Sequence, residues 1–226
     1  MAIKADNKKQ LKASKKQSKK KEKDSFTKKE VYNLTVPSSM FMTTTVGTTI
    51  LTKQSTAAIT ERKLRGRVFE VNQGELQGNS PFRKYKFVCT KLTGRDLKSV
   101  FNGMELTTDK QKGLVRKWHT LIEAVSDVTT SDDVKLRVFT VAVTKKPALW
   151  TKKHCYAKSS QVKEIRKAMF DVVKEEMEGQ SVVEIVRKIS EDKIDKRIEE
   201  MGSLIFPLQN CYVSKVKVLK RPKDEE

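Results

Sequence analysis

The sequence predicts an α+β protein: a curved antiparallel sheet or small β-barrel, about three helices on one side, a final C-terminal strand, and a disordered lysine-rich tail in front. Three observations lead there. Between residues 48 and 144 apolar and β-branched residues mostly alternate with polar ones, the strand period. From residue 161 the period becomes that of amphipathic helices. Alternation then returns once, at 211–220. Strands, then helices, then one strand is the order of an α+β chain.

The elements follow in order. Residues 1–24 form the tail; the stretch ADNKKQLKASKKQSKKKEKD (5–24) has no aromatic residue and one leucine, too little to offset the entropy of ordering it. Residues 25–47 mix aromatic, proline and threonine residues and read as an extended arm packing on the body. The mainly β body covers 48–144. TTILT (48–52) is β-branched, and GRVFEV (66–71) and RKYKFVCTKL (83–92) alternate. The last would bury one face and leave the other cationic. LKSVFNGMEL (97–106) carries Asn102-Gly103, a turn signal. Residues 107–118 suit a short helix capped by Thr107 or Thr108, weakened by Gly113. Segments 119–128 and 134–143 flank TTSDD as an antiparallel hairpin.

Residues 145–226 hold the helices and last strand, packed on the same body. A basic connector (145–160) leads into a helix at 161–179. Val162, Ile165, Met169, Val172 and Val173 share its inner stripe, Lys163, Arg166, Lys167 and Lys174 lie off it, and Gly179 stops it. SVVE (181–184) is a capping box for a second helix. Ser190 is placed to cap a third, with Ile194, Ile198 and Met201 inward, and Pro207 ends the helical region. In the final strand Tyr212, Ser214, Val216 and Val218 share one side, and Lys215 and Lys217 the other.

Charge bounds the function. The chain of 226 residues carries a net charge of +20, of which residues 1–23 hold +8 and the rest +12. A solubility tail on a neutral domain would look different; a basic body with a pI near 9.8 points to a polyanion. A lysine tract can also dock on anionic lipid, but no amphipathic apolar face accompanies this one, so no membrane partner is expected. There is no secretory signal or membrane-length apolar run. Three widely spaced cysteines, Cys89, Cys155 and Cys211, fit reduced thiols in a cytosolic or nuclear protein.

No enzyme is legible. His119 and His154 are the only histidines, and His154 adjoins Cys155 in an extended stretch, where neighbouring side chains point apart. No zinc spacing and no phosphate-binding glycine loop occurs, so neither metal nor cofactor is expected. The candidate ligands for a nucleic-acid backbone are therefore basic side chains. In the tail these are Lys15, Lys16, Lys19, Lys20 and Lys21. In the body they are Lys28 and Lys29, Arg65 and Arg67, Arg83, Lys84 and Lys86, Arg116 and Lys117, and Lys145 and Lys146. Lys152 and Lys153, Arg166 and Lys167, and Lys215, Lys217, Lys220 and Arg221 complete the set. The excess of lysine over arginine favours point contacts to phosphates over reading of bases.

Several long stretches then fall into a known order. FTKKEVYNLTVPSSMF (26–41), LRGRVFEV (64–71), FRKYKF (82–87), FNGMELTTDK (101–110), VRKWHTLIEA (115–124), LRVFTVAVTKK (136–146), CYAKSSQVKEIRKAMFDVV (155–173) and NCYVSKVKVLKRPK (210–223) resemble the S-three-a family of eukaryotic and archaeal small-subunit ribosomal proteins. Two departures stand out. Val31 takes a place where many members have tryptophan, and the sequence stops at RPKDEE where many eukaryotic members continue. The resemblance implies a structural protein on the small-subunit platform near the mRNA exit, with a β-barrel-like body and a role in subunit assembly. It implies small-subunit rRNA and neighbouring ribosomal proteins as partners, with mRNA and initiation factors nearby. It also implies cytoplasmic ribosomes as the location, and nucleolar assembly if the source is eukaryotic. The alternative is an RNA-associated regulatory or chaperone-like protein acting off the ribosome.

Overall fold

Alternation builds the sheet. In the computed structural model, which describes residues 24–222, β4 (Arg83–Thr93) buries every second side chain from Arg83 to Cys89 and pairs antiparallel with β5 (Asp96–Leu106). β6 (Leu121–Thr129) buries Ile122, Ala124, Ser126 and Val128 and pairs with β7 (Lys135–Thr144) in unbroken register, the hairpin the sequence signals. The final strand, β8 (Leu208–Lys220), runs between β5 and β7 and joins the two hairpins. β1 (Lys29–Thr35) and β2 (Thr45–Thr52) form a further antiparallel pair, and β3 (Val68–Asn72) adds to β4. Residues 25–47, expected as an extended arm, thus supply β1 and the start of β2.

The strand order is β2-β1-β5-β8-β7-β6, with β4 and β3 branching from β5. The protein is α+β with an open sheet, not a closed barrel. β1 and β8 divide one edge of β5: β1 pairs at Asp96 and Leu97, and β8 at Gly103–Glu105. The β1–β5 pairing is parallel, which makes the sheet mixed.

Two local details correct the sequence reading. Asn102-Gly103 is no turn; both residues lie inside β5. A Cβ on Gly103 would sit 2.5 Å from the Val216 carbonyl oxygen, and its φ is +151°, so the glycine permits the close approach of β8. In β8, Phe139 pairs with Lys215 and Thr140 with Val213, which leaves Ser214 as a bulge. The extra residue changes the parity of the strand. Cys211 and Val213 therefore join Val216 in the core, while Tyr212 leaves it for a small cluster with Phe82, Leu106, Leu114 and Val141.

The helices are α1 (Ala57–Leu64), α2 (Gln73–Gln77), α3 (Thr108–Leu114), α4 (Ser159–Met177), α5 (Val182–Ser190) and α6 (Lys193–Ser203); α1 and α2 were not signalled by periodicity. α4 buries Ile165, Met169, Val172, Val173 and Met177 and leaves Lys163, Lys167 and Lys174 outside, as its stripe predicts. The Ser181 hydroxyl caps α5 by accepting from the Glu184 N–H at 3.3 Å. Ser190 does not cap α6. It ends α5, donates to the Val186 carbonyl at 2.8 Å, and Asp192 in a left-handed conformation (φ +58°) begins α6. Ile194 and Ile198 are inward, but Met201 is 42% exposed; Gly202 takes the inward place against Leu208.

A polar knot fastens the helices to the sheet. Arg83, fully buried, donates to Asp195 at 2.5 Å and meets Asp192. Asp195 also accepts from the Val213 N–H at 2.8 Å. Beside it the Tyr85 hydroxyl lies 3.0 Å from the Ser190 hydroxyl, and Gln73 donates to the Ser190 carbonyl at 3.1 Å. Burial pushes the Asp195 carboxyl up to about 6, against the pull of Arg83 and the Val213 N–H. Burial likewise pushes the Tyr85 hydroxyl up to about 12.

Candidate nucleic-acid interface

The basic clusters of the sequence do not spread evenly. One gathering forms where the chain enters β6 and leaves β7. Residues 107–120 and 144–158 carry nine lysines and arginines against the single acid Asp109. Backbone and side chains stitch the two segments together. The Cys155 N–H donates to the Trp118 carbonyl at 2.9 Å, and His119 and Cys155 form an isolated parallel bridge. The Thr144 hydroxyl donates to the Cys155 carbonyl at 2.7 Å, accepts from the Thr120 N–H at 2.8 Å, and the Thr120 hydroxyl accepts from the Ala157 N–H at 3.1 Å. Trp150 anchors the connector on Phe206, with ring centroids 6.4 Å apart. Arg116, Lys117, Lys145, Lys146, Lys152 and Lys153 all stand exposed on this one end.

A second gathering lies around the β2 edge. Arg67 donates to the Thr49 hydroxyl at 2.7 Å and to the Ile50 carbonyl at 3.1 Å, tying the α1–β3 connection to β2. The Lys53 N–H donates to the Lys28 carbonyl, and the Asn33 N–H to the Arg95 carbonyl. Lys28, Lys29, Arg65 and Arg67 thereby meet Lys53, Arg62, Lys63, Lys91, Arg95 and Lys98, ten cations against Asp24, Glu30, Glu61 and Asp96. An open cleft of about 400 Å³ between Lys29, Val31 and Arg95 lies within this patch. Lys53, Arg62, Lys63, Lys91, Arg95 and Lys98 were missed because each stands singly or on the unrecognised helix α1; only pairing of distant segments collects them.

Other candidates have partners within the fold. Arg83 is corrected outright: buried against Asp192 and Asp195, it cannot reach a phosphate. Lys84 and Lys86 share Glu70 at 3.0 and 3.1 Å, Lys86 also meets Glu105 at 2.7 Å, and Lys215 reaches Glu105 at 3.4 Å. The hydrogen bonds from Lys84 and Lys86 hold Glu70 below its ordinary value, and the bond to Glu105 holds Lys86 above its own. This half-buried ladder sets three lysines against two glutamates, so most of its charge is paired within the fold. Arg221 donates to Asn102 Oδ1 at 3.0 Å. Lys217, over the Phe139 ring, and Lys220 remain exposed. On α4, Lys167 is exposed and Arg166 donates to the Glu123 carbonyl at 3.0 Å. Lys15, Lys16, Lys19, Lys20 and Lys21 lie outside the described residues.

The profile of the ribosomal S3Ae family matches residues 17–222. The chain belongs to that family. Among similar proteins, small ribosomal subunit protein eS1 of Encephalitozoon cuniculi is 45% identical over 197 residues, covering 86% of this chain and 82% of the relative. The eS1 proteins of Brugia malayi and Bombyx mandarina are 43% and 42% identical, each covering 88% of this chain and 78% and 77% of their own lengths. Membership makes this a structural ribosomal protein and not an enzyme.

The one cysteine–histidine contact agrees with that assignment. It joins Cys155 to His119, not to His154, with Sγ 3.0 Å from Nδ1. The same Nδ1 lies 2.6 Å from the Thr144 carbonyl, which only accepts, so Nδ1 carries its proton and cannot take one from the thiol. The thiol itself is buried and donates to the Trp118 carbonyl at 3.1 Å. Among the described residues no group of side chains could hold a metal ion, and no helix is long and apolar enough to cross a membrane.

Proposed function

We propose that the protein is a structural component of the small ribosomal subunit that binds small-subunit rRNA through lysine and arginine contacts to phosphates. The carrying observation is the gathering of mostly exposed cations at two ends of a protein whose relatives are named small ribosomal subunit protein eS1. The two cationic patches lie toward opposite edges of the sheet, one at β2 and one where the chain enters β6. A body with this layout can bridge separate RNA segments, which supports a role in subunit assembly as well as translation. The ladder between them, whose charges are mostly paired within the fold, suits contact with neighbouring ribosomal proteins. The family resemblance supports a position on the platform near the mRNA exit, with mRNA and initiation factors close by, in cytoplasmic ribosomes and, in a eukaryote, in the nucleolus during assembly. Sedimentation tests the reading. The protein should travel stoichiometrically with the small subunit and stay there through a high-salt wash. Recovery only in light RNA-containing fractions would favour a regulatory or chaperone-like protein off the ribosome.

A further inference from the structure

The patch where the chain enters β6 and leaves β7 carries more than charge. Cys155 is buried, so in the extended chain around it the side chains of His154 and Tyr156 both point out. Their rings stack, 5.4 Å between centroids and 7° from parallel, and Tyr156 remains 51% exposed. Trp118 stands on the facing segment, 44% exposed, with Lys153 Nζ 4.8 Å above its ring. Its backbone is left-handed, φ +70°, a region that bulky side chains rarely occupy. The Cys155 N–H and thiol, both donating to the Trp118 carbonyl, hold it there. The fold therefore keeps three planar rings in water, on both sides of one backbone bridge, amid a strong surplus of cations.

Phosphate binding alone uses none of those rings. Exposed flat π-faces beside lysines are what an unpaired nucleotide needs: a face for the base and a cation for the phosphate. We infer that this end of the protein takes unpaired RNA nucleotides, stacking bases on the His154–Tyr156 pair and on Trp118 while Lys117, Lys152 and Lys153 hold the backbone. The inference rests on the RNA-binding reading above and sharpens it from RNA in general to single-stranded segments. It requires no sequence specificity, since every base has a π-face.

The test uses the full chain and fluorescence anisotropy with two probes, a single-stranded RNA oligonucleotide and a blunt duplex containing the same sequence. Tyr156→Leu and Trp118→Leu keep apolar bulk and remove the ring; Lys152→Ala with Lys153→Ala removes charge. Each ring substitution should weaken single-strand binding about 5- to 150-fold, the loss of one stacked base, and leave duplex binding unchanged. The lysine substitutions should weaken both probes. If the ring variants bind the single strand as tightly as the parent while the lysine variant loses both probes, the end reads phosphates only and this inference is overturned, though the RNA reading stands. If the parent binds neither probe at low salt, the RNA reading itself falls. If the ring variants keep RNA but lose binding to a polyglutamate peptide, the occupant is an acidic protein segment and the inference is again overturned. Tyr156 is largely solvent-facing, so its variant keeps the test valid should Trp118→Leu fail to fold.

Discussion

Replacing Arg83 by methionine tests the ion cluster that pins α6 to the sheet. Methionine keeps most of the volume and removes the one cation between Asp192 and Asp195. Asp195 would then be a buried carboxylate facing a second carboxylate, with the Val213 N–H still donating to it. Removing one member of a buried pair costs about 3–5 kcal/mol, against a total stability of about 5–15 kcal/mol for a domain. With an m-value of about 2 kcal/mol per M in urea, the midpoint should fall by about 2 M at pH 8. The pH dependence carries the sign of the argument. Asp195 already has a folded pKa of about 6, above the ordinary value, because of burial. A raised acid contributes stability that is complete below its unfolded value of about 3.9 and is lost as pH rises through the folded value. Loss of Arg83 raises the folded value further, so the deficit of the variant should shrink between pH 8 and pH 5. Asp195→Asn in the same background should recover most of the loss at pH 8. Urea melts across that range read all three effects. A deficit below about 1 kcal/mol, the usual size of an exposed pair, or one that does not change with pH, would refute the account of a buried, cation-dependent carboxylate.

Three further outcomes follow from the packing and charge. Met169→Ala, in the core face of α4, should cost about 2–5 kcal/mol, whereas Lys167→Ala on the outer face should stay within about 0.5 kcal/mol; paired thermal melts check the helix orientation. Gly103→Ala should destabilise the protein and loosen the β5–β8 contact, because its Cβ would meet the Val216 carbonyl oxygen at 2.5 Å; amide exchange at Lys217 and Val216 reports it. RNA affinity should fall steeply with salt, by about 0.7 in the slope of log K against log salt for each phosphate neutralised on a single strand, and deletion of residues 1–23, which removes a net +8, should lower that slope.

What was legible in the sequence was local. Alternation in 83–92 and 119–143 and the stripe of α4 each repeat within one element, so burial follows directly from spacing. The α+β class and the last strand followed from their order. What was not legible depended on partners far along the chain. Nothing near Arg83 announces Asp192 and Asp195, more than a hundred residues away, so Arg83 read as one more surface cation. Asn102-Gly103 carries a turn signature, yet the glycine answers a strand that arrives over a hundred residues later. The bulge at Ser214 is invisible to a period-two count because it breaks the count. Trp118 and Tyr156 sit in segments read for lysines, and only the bridge between His119 and Cys155 makes them one surface. The spacing His154-x-Tyr156 around a buried cysteine was the available signal.

The most direct measurement of the central claim is a map of crosslinks from lysine side chains to rRNA in the intact small subunit. The account predicts crosslinks concentrated at Lys117, Lys145, Lys146, Lys152 and Lys153 and at Lys28, Lys29, Lys53, Lys91 and Lys98, and absent from Lys84 and Lys86, whose charges are spent on Glu70 and Glu105. Crosslinks centred on that ladder, with both cationic patches silent, would contradict it.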